Sequence, residues 1–222
     1  MKCLLFVIQQ KILKGIGQYL IESIWIEEKV KRRDFMTQIY FVRHAHSVYT
    51  PEERERPLSE KGRNDAQSVA ELLKEEKIDV VISSPYKRAI QTVQGVANQF
   101  QLPMKIEEDL RERLLSKEQV EDFEEAIMKV WENPAFSFEG GESNDIAQKR
   151  GVKCIQNILK QYKGKNIVVG THGNIMVLIM NYFDSTYDYH FWKTLDMPDV
   201  YKLTFNEESL LSTARVEERT KI

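Results

Sequence analysis

Arg43-His44-Ala45 follows directly on the apolar run Ile39-Tyr40-Phe41-Val42, so a guanidinium and an imidazole stand together where a buried strand runs out. That pair contributes little to a hydrophobic core. It suits a phosphate dianion held against a nitrogen nucleophile, because the guanidinium fork matches phosphate oxygens and stays charged. Two further apolar runs end in chemically loaded residues. Val80-Val81-Ile82 leads into Ser83-Ser84-Pro85-Tyr86-Lys87-Arg88, and the run 166–170 leads into Thr171-His172-Gly173-Asn174. In open α/β sheets, ligands bind just beyond the carboxyl ends of the strands. Arg43, His44, Arg88 and His172 are therefore expected to meet at one rim beside helix N-termini, an anion site by charge and by dipole.

The elements that must position these residues alternate strand and helix from Met36 onward. Residues 38–42, 79–83 and 166–170 read as buried strands, 104–106 as a short one, and 200–205 with 210–214 as two closing strands joined through Asn206. Ser59 is expected to cap a helix to about residue 77, and Ser84-Pro85 to open one reaching residue 100. Helices are also expected over 117–132, from Ser143 to residue 162, and from Asn174 to residue 182. The alternation predicts an α/β fold, a three-layer α/β/α sandwich around a mostly parallel sheet. No repeat, low-complexity tract or linker marks a second folded domain.

Composition narrows the classes. The chain has 222 residues, 42% hydrophobic and 30% charged, with a formal net charge of −2, which is ordinary for a globular domain and argues against nucleic acid or an anionic membrane as partner. Two cysteines, Cys3 and Cys154, provide neither metal-ligand spacing nor a disulfide framework, so a cytoplasmic setting is expected. Leu4-Leu5-Phe6-Val7-Ile8 is too short to span a bilayer. Residues 11–30 carry apolar side chains at helical spacing ahead of Lys31-Arg32-Arg33, which leaves a membrane-surface helix open. The favoured expectation is different. Residues 31–34 can be encoded by a purine-rich ribosome-binding sequence ahead of Met36, so residues 1–35 are expected to lie outside the native protein, and 36–222 to form the domain.

Taken in order, Arg43-His44-Ala45, the block Ser84-Pro85 with Arg88-Ala89 and Gln91-Thr92, Leu110-Arg111-Glu112, Gly140-Gly141-Glu142-Ser143 and Thr171-His172-Gly173-Asn174 resemble the histidine phosphatase superfamily (phosphoglycerate mutase-like) over residues 37–205. The resemblance implies that His44 is the nucleophile that becomes a phosphohistidine. Arg43, Arg88 and His172 are implied as the clamp on the phosphate oxygens, with His172 part of the catalytic set. Glu112 is implied as the acid that protonates the leaving alkoxide and then, as a carboxylate, activates water. His46, Ser47 and Asn174 are expected to support these groups. A small phosphorylated metabolite is the implied partner, and neither metal nor cofactor is called for.

Physical chemistry agrees with that division of labour. A nucleophilic imidazole must be neutral, and adjacent guanidinium groups favour the neutral form. Charge on a transferring phosphoryl group needs fixed positive partners. An acid held protonated near neutral pH speeds loss of the alkoxide by ~10²–10⁴-fold. Two departures from the family pattern stand in the loop after the nucleophile. His46 occupies a position often held by glutamate or glutamine, and Ser47-Val48-Tyr49-Thr50-Pro51 lacks an asparagine common there.

Other functions fit parts of the same pattern. A mutase would return the phosphoryl group to a second hydroxyl, but the chain after Met36 is compact for one. A sensor of phosphorylated ligands would need neither His44 nor Glu112. His44-Ala45-His46 also resembles the first metal pair of amidohydrolase barrels, which need more histidines than the four present. Substrate choice is expected in loop 47–57 and in a helical lid over about 113–139. His190, among Tyr187, Tyr189, Phe191 and Trp192, is expected to be structural, those aromatics packing into the core or forming a homodimer patch.

Overall fold

The structure is a computed structural model that describes residues 36–118 and 120–217; the expectations for residues 1–35 lie outside these. Six strands form one sheet in the order β3-β2-β4-β1-β5-β6. They are β1 (Met36–Arg43), β2 (Val80–Ser83), β3 (Met104–Ile106), β4 (Asn166–Thr171), β5 (Asp199–Asn206) and β6 (Ser209–Arg215). β1 pairs parallel with β4, and β2 parallel with both β3 and β4. β5 and β6 are antiparallel.

Side chains alternate between the two faces of a strand, and both faces here are covered. Ile39 and Phe41 of β1 enter a core with Ile155 and Ile158 of α4 (Asn144–Gln161) and Ile175 and Ile179 of α5 (Gly173–Phe183). Tyr40 and Val42 enter a second core with Val69 of α1 (Glu60–Leu72) and Val93 and Val96 of α2 (Lys87–Gln99). The expected three layers are thus present. Each buried aliphatic side chain contributes roughly 1.5–3 kcal/mol relative to exposure, and together they fix where the strands stop.

Register brings the loaded strand ends level. Arg43 pairs with Thr171 and Ser83 with Gly170. The ladder runs one residue further on both sides, with His44 N donating to Thr171 O at 3.0 Å and Ser84 N to Gly170 O at 2.8 Å.

Several helix boundaries depart from expectation. Ser59 does cap α1, accepting from Gly62 N, but the helix stops at Leu72 and gives way to turns before β2. Ser84 does not cap α2. The helix starts at Lys87 with Tyr86 as its N-cap, because Pro85 and Tyr86 form a bend and the Ser84 hydroxyl is engaged elsewhere. Within 117–132 only α3 (Phe123–Glu132) is helical, begun by Asp122, whose carboxylate accepts from Glu125 N. α6 (Tyr189–Thr194) carries the aromatic group. Tyr187, Phe191 and Trp192 pack against the core, while His190 is exposed.

Candidate active site

His44 follows β1 directly and is buried. Its Nδ1 pairs with Ala45 O at 2.8 Å, a contact in which only the ring nitrogen can donate. Nε2 is therefore the unprotonated nitrogen, and it accepts from Arg88 Nε at 3.1 Å. Burial, then the positive field of Arg88, and more weakly that of Arg43, push the His44 pKa down to about 3. The nucleophile candidate is neutral, and burial contributes more than the guanidinium groups that alone suggested it from the sequence.

Motif residues beyond the charged set hold this strand end. Ala45 N donates to Thr92 Oγ1 at 3.0 Å, and Leu58 N donates to Gln91 Oε1 at 2.8 Å. The Gln91-Thr92 pair thus ties the loop after β1 to α2. Arg88 lies in the first turn of the same helix and is 4% exposed. Its Nη1 donates to Glu53 O at 2.8 Å and its Nη2 to Glu53 Oε1 at 2.7 Å. Glu53 belongs to a 3₁₀ turn, Glu53–Glu55. No sequence pattern singled it out; it lies in a charged, aperiodic loop.

Arg43 is anchored on the far side. Its Nη1 donates to Leu195 O at 2.9 Å and Asp196 O at 3.2 Å. Nε is buried without a partner among the described residues, and no hydrogen bond there engages Nη2. Gly173 makes the approach possible: a Cβ at that position would lie 3.0 Å from Arg43 Nε.

His172 caps α5 and is fully buried. Its ring meets that of His44 edge-on at 5.2 Å and that of Tyr86 at 4.9 Å. Ser84 Oγ sits 2.7 Å from His172 Nε2, in a hydrogen bond whose direction follows the imidazole tautomer, and also accepts from Tyr86 N. His172 Nδ1 is buried without a partner among the described residues. Burial first, then His44 and Arg88, push the His172 pKa well below its ordinary value. Buried polar atoms left unpaired are costly, and Arg43 Nε and His172 Nδ1 are two of them in one small region.

Glu112 follows a 3₁₀ turn, Glu108–Leu110, and reaches the N-terminus of α5. Oε1 accepts from Arg113 N at 2.8 Å and Ile175 N at 2.9 Å, and Oε2 from Asn174 N at 3.1 Å. Two of the helix amides expected to face an anion are therefore given to this carboxylate. Oε2 keeps more unused lone-pair capacity than Oε1. With its carboxamide turned so that oxygen faces the guanidinium, Asn174 accepts from Arg113 Nη2 at 2.6 Å and Nε at 3.0 Å. Asn174 thus supports Glu112 through its backbone and holds Arg113 through its side chain.

The structure does not bring His46 or Ser47 into this group through any direct bond. His46 is exposed and pairs with Ser59 Oγ at 2.9 Å, at the cap of α1. Ser47 bridges antiparallel to Leu58, where it orders the loop. Among the described residues no cluster of three or more His, Cys, Asp or Glu side chains has metal-binding geometry. No helix among them is long and apolar enough to cross a membrane.

A neutral imidazole whose unprotonated nitrogen is faced by two arginines and a second neutral imidazole, at the carboxyl ends of parallel strands, is an arrangement suited to phosphoryl transfer. The chain belongs to the histidine phosphatase superfamily (branch 1), whose family model matches residues 39–215. It is 34% identical over 171 residues to the metal-independent phosphoserine phosphatase of Arabidopsis thaliana, covering 70% of this chain and 71% of that protein. It is 36% identical over 155 residues to phosphoglycerate mutase-like protein 4 of the same plant, covering 63% and 67%. Among solved structures, YhfR of Bacillus stearothermophilus aligns with a TM-score of 0.66 at 24% identity, covering 79% of this chain and 94% of that one. A phosphoserine phosphatase variant from Entamoeba histolytica, in complex with phosphoserine, aligns at 0.67 and 18% identity, covering 81% and 96%. The chain is a hydrolase of the phosphatase class, with the fold of that family.

Proposed function

We propose that this protein hydrolyses a small phosphorylated metabolite in the cytoplasm, with phosphoserine the first substrate to test, through a phosphohistidine on His44. One observation carries the residue assignment: the Nδ1–H bond to Ala45 O fixes the tautomer that leaves Nε2 as a nucleophile. The names of two relatives, the plant phosphoserine phosphatase and phosphoserine phosphatase 1 of Hydrogenobacter thermophilus, support the substrate class.

The steps balance on this chain's own residues. The phosphoryl group docks on Arg43, Arg88 and His172, and the Arg88 Nε–H moves from the His44 lone pair to a phosphate oxygen. His44 Nε2 forms a bond to phosphorus as the P–O ester bond breaks, and the leaving alkoxide takes the proton of the Glu112 carboxyl. Water then attacks the phosphohistidine and gives its proton to the Glu112 carboxylate. The P–N bond breaks, and inorganic phosphate and neutral His44 are restored. Fixed guanidinium groups stabilise the charge at both stages. The segment 113–139 and loop 47–57 are the proposed determinants of which ester enters.

The test is a panel of phosphorylated metabolites, phosphoserine and 3-phosphoglycerate included, against wild-type enzyme and His44→Ala, with a chelator present throughout. Release of phosphate by the wild type alone supports the reading. Undiminished release by His44→Ala, or loss of wild-type activity in chelator, overturns it. Conversion of 3-phosphoglycerate to an isomer without free phosphate replaces it with a mutase.

A further inference from the structure

The two arginines beside His44 are not in the same condition. Arg43 has Nη2 without an acceptor among the described residues, whereas every nitrogen of Arg88 is engaged. Nε is on His44, Nη1 on the Glu53 carbonyl and Nη2 on the Glu53 carboxylate at 2.7 Å. A phosphate dianion approaching Arg88 meets a carboxylate already within hydrogen-bond distance of the same guanidinium. It must displace that carboxylate or sit beside it, and either costs affinity, since like charges a few ångströms apart in a partly buried site repel strongly.

Displacement does not strand Glu53. Its other oxygen, Oε2, lies 2.7 Å from Arg56 Nη2. Arg56 is itself fixed in the loop: its Nε donates to Thr50 O at 3.0 Å, and its guanidinium lies over the Tyr49 ring at 4.4 Å. Glu53 is also 38% exposed, so its carboxylate has water as well as Arg56 to turn to. The carboxylate thus stands between an inner and an outer arginine and can give up the inner one without becoming an unpaired buried charge.

We propose that Glu53 is the resident counter-ion of Arg88, exchanged for phosphate in each catalytic cycle, and that it weakens the hold on inorganic phosphate so that product leaves. This rests on the reading of Arg88 as a phosphate clamp. A phosphatase needs such a device, because its product carries the same dianionic group that the clamp is built to hold, and product release limits turnover in many enzymes. Glu53 acts through Arg88 and is a positioning residue in that sense. It also gives loop 47–57 a defined part in the cycle: phosphate takes Nη2 of Arg88 from the Glu53 carboxylate, while Nη1 keeps the arginine on the 3₁₀ turn through the Glu53 carbonyl.

The experiment is titration of inorganic phosphate and of orthovanadate into wild type, Glu53→Gln, Arg56→Ala and the double variant, by calorimetry and by inhibition of turnover. Glutamine keeps the size and an acceptor oxygen but removes the charge, so Glu53→Gln should bind both anions about three- to thirty-fold more tightly. Arg56→Ala leaves Glu53 with Arg88 alone and should bind them more weakly than wild type, and the double variant should match Glu53→Gln. Damage to the site loosens anions, so a gain in affinity separates the counter-ion role from a structural one. Unchanged or weaker binding by Glu53→Gln overturns the inference while leaving the catalytic reading intact. A wild type that binds neither anion overturns the phosphate clamp itself, and the inference with it.

Discussion

Arg88 Nε donates to the Nε2 lone pair of His44 at 3.1 Å, so the proposed phosphate clamp and the proposed nucleophile are bonded directly to each other. Lysine cannot reproduce this. It is a point charge on a flexible stem and lacks the planar fork that reaches His44 and Glu53 at once. Each charge-assisted hydrogen bond lost is worth about 1.5–3 kcal/mol, so Arg88→Lys should lose roughly 10–100-fold in kcat/KM. Steady-state kinetics on the best substrate of the panel checks this; a variant within twofold of wild type would remove Arg88 from the clamp.

His44→Ala should abolish turnover, by at least ~10³-fold, since a covalent route has no substitute once its nucleophile is gone. The wild type, quenched during turnover with labelled substrate, should carry an acid-labile, base-stable phosphoryl adduct on the peptide containing residue 44. An adduct on a serine or a carboxylate instead would reassign the nucleophile.

For Glu112, three backbone donors hold the carboxyl group in place. As the proton donor to the alkoxide it is needed in the first step only where the leaving group needs a proton, whereas as the base for water it serves every substrate in the second. Glu112→Gln should slow formation of the phosphohistidine from an alkyl phosphate ester by ~10²–10⁴-fold, while costing far less in that first step with p-nitrophenyl phosphate, whose leaving group departs unprotonated; rapid quench on a single turnover separates this step from hydrolysis of the adduct. Equal losses in the first step on both substrates would remove Glu112 as the proton donor to the leaving group.

Much of this site was legible because strand ends are legible. The apolar runs Ile39–Val42 before Arg43 and Val80–Ile82 before Ser83 lie in strands covered on both faces, and parallel strands that stop level deliver their next residues to one rim. Reach across the chain was harder to read. Glu53 meets Arg88 35 residues away, through a loop whose alternating charges look like any solvated surface. Ser84 looked like a helix cap because a serine before a proline usually is one, yet its hydroxyl serves His172 on a different strand. Glu112 was placed by resemblance, and its grip on the first turn of α5 depends on where a 3₁₀ turn ends, which no periodicity encodes.

Two neutral imidazoles in one buried site make stability depend on acid. The His44 pKa is lowered from 6.5 to about 3, mainly by burial. Between those values the unfolded chain binds a proton that the folded one refuses, so stability is complete above pH 6.5 and falls as the pH drops toward 3. The slope from His44 alone is about 1.4 kcal/mol per pH unit, and His172 acts in the same direction. Urea unfolding from pH 7 to pH 4 should therefore be steeper in pH for wild type than for His44→Asn. Parallel curves would mean that His44 is charged in the folded protein and unfit as a nucleophile.

Gly173 offers a way to perturb the clamp without weakening the fold. A Cβ there would lie 3.0 Å from Arg43 Nε and 3.2 Å from Cζ, and the guanidinium cannot retreat freely because Leu195 O and Asp196 O hold Nη1. Its backbone is not in the left-handed region, so alanine is allowed at this first position of α5 and should favour the helix by about 0.5–1 kcal/mol. Contact strain at Arg43 opposes this gain, so Gly173→Ala is expected to melt close to the wild-type temperature. Arg43 is displaced by a few tenths of an ångström at the phosphate, and misplacement of a clamp by about 1 Å can cost 10²-fold, so a loss of about tenfold in kcat/KM is expected. Thermal unfolding and kinetics on the same preparation decide it. If activity holds while the alanine methyl is accommodated, Arg43 has freedom the geometry denies it, and its part in gripping phosphate must be given up.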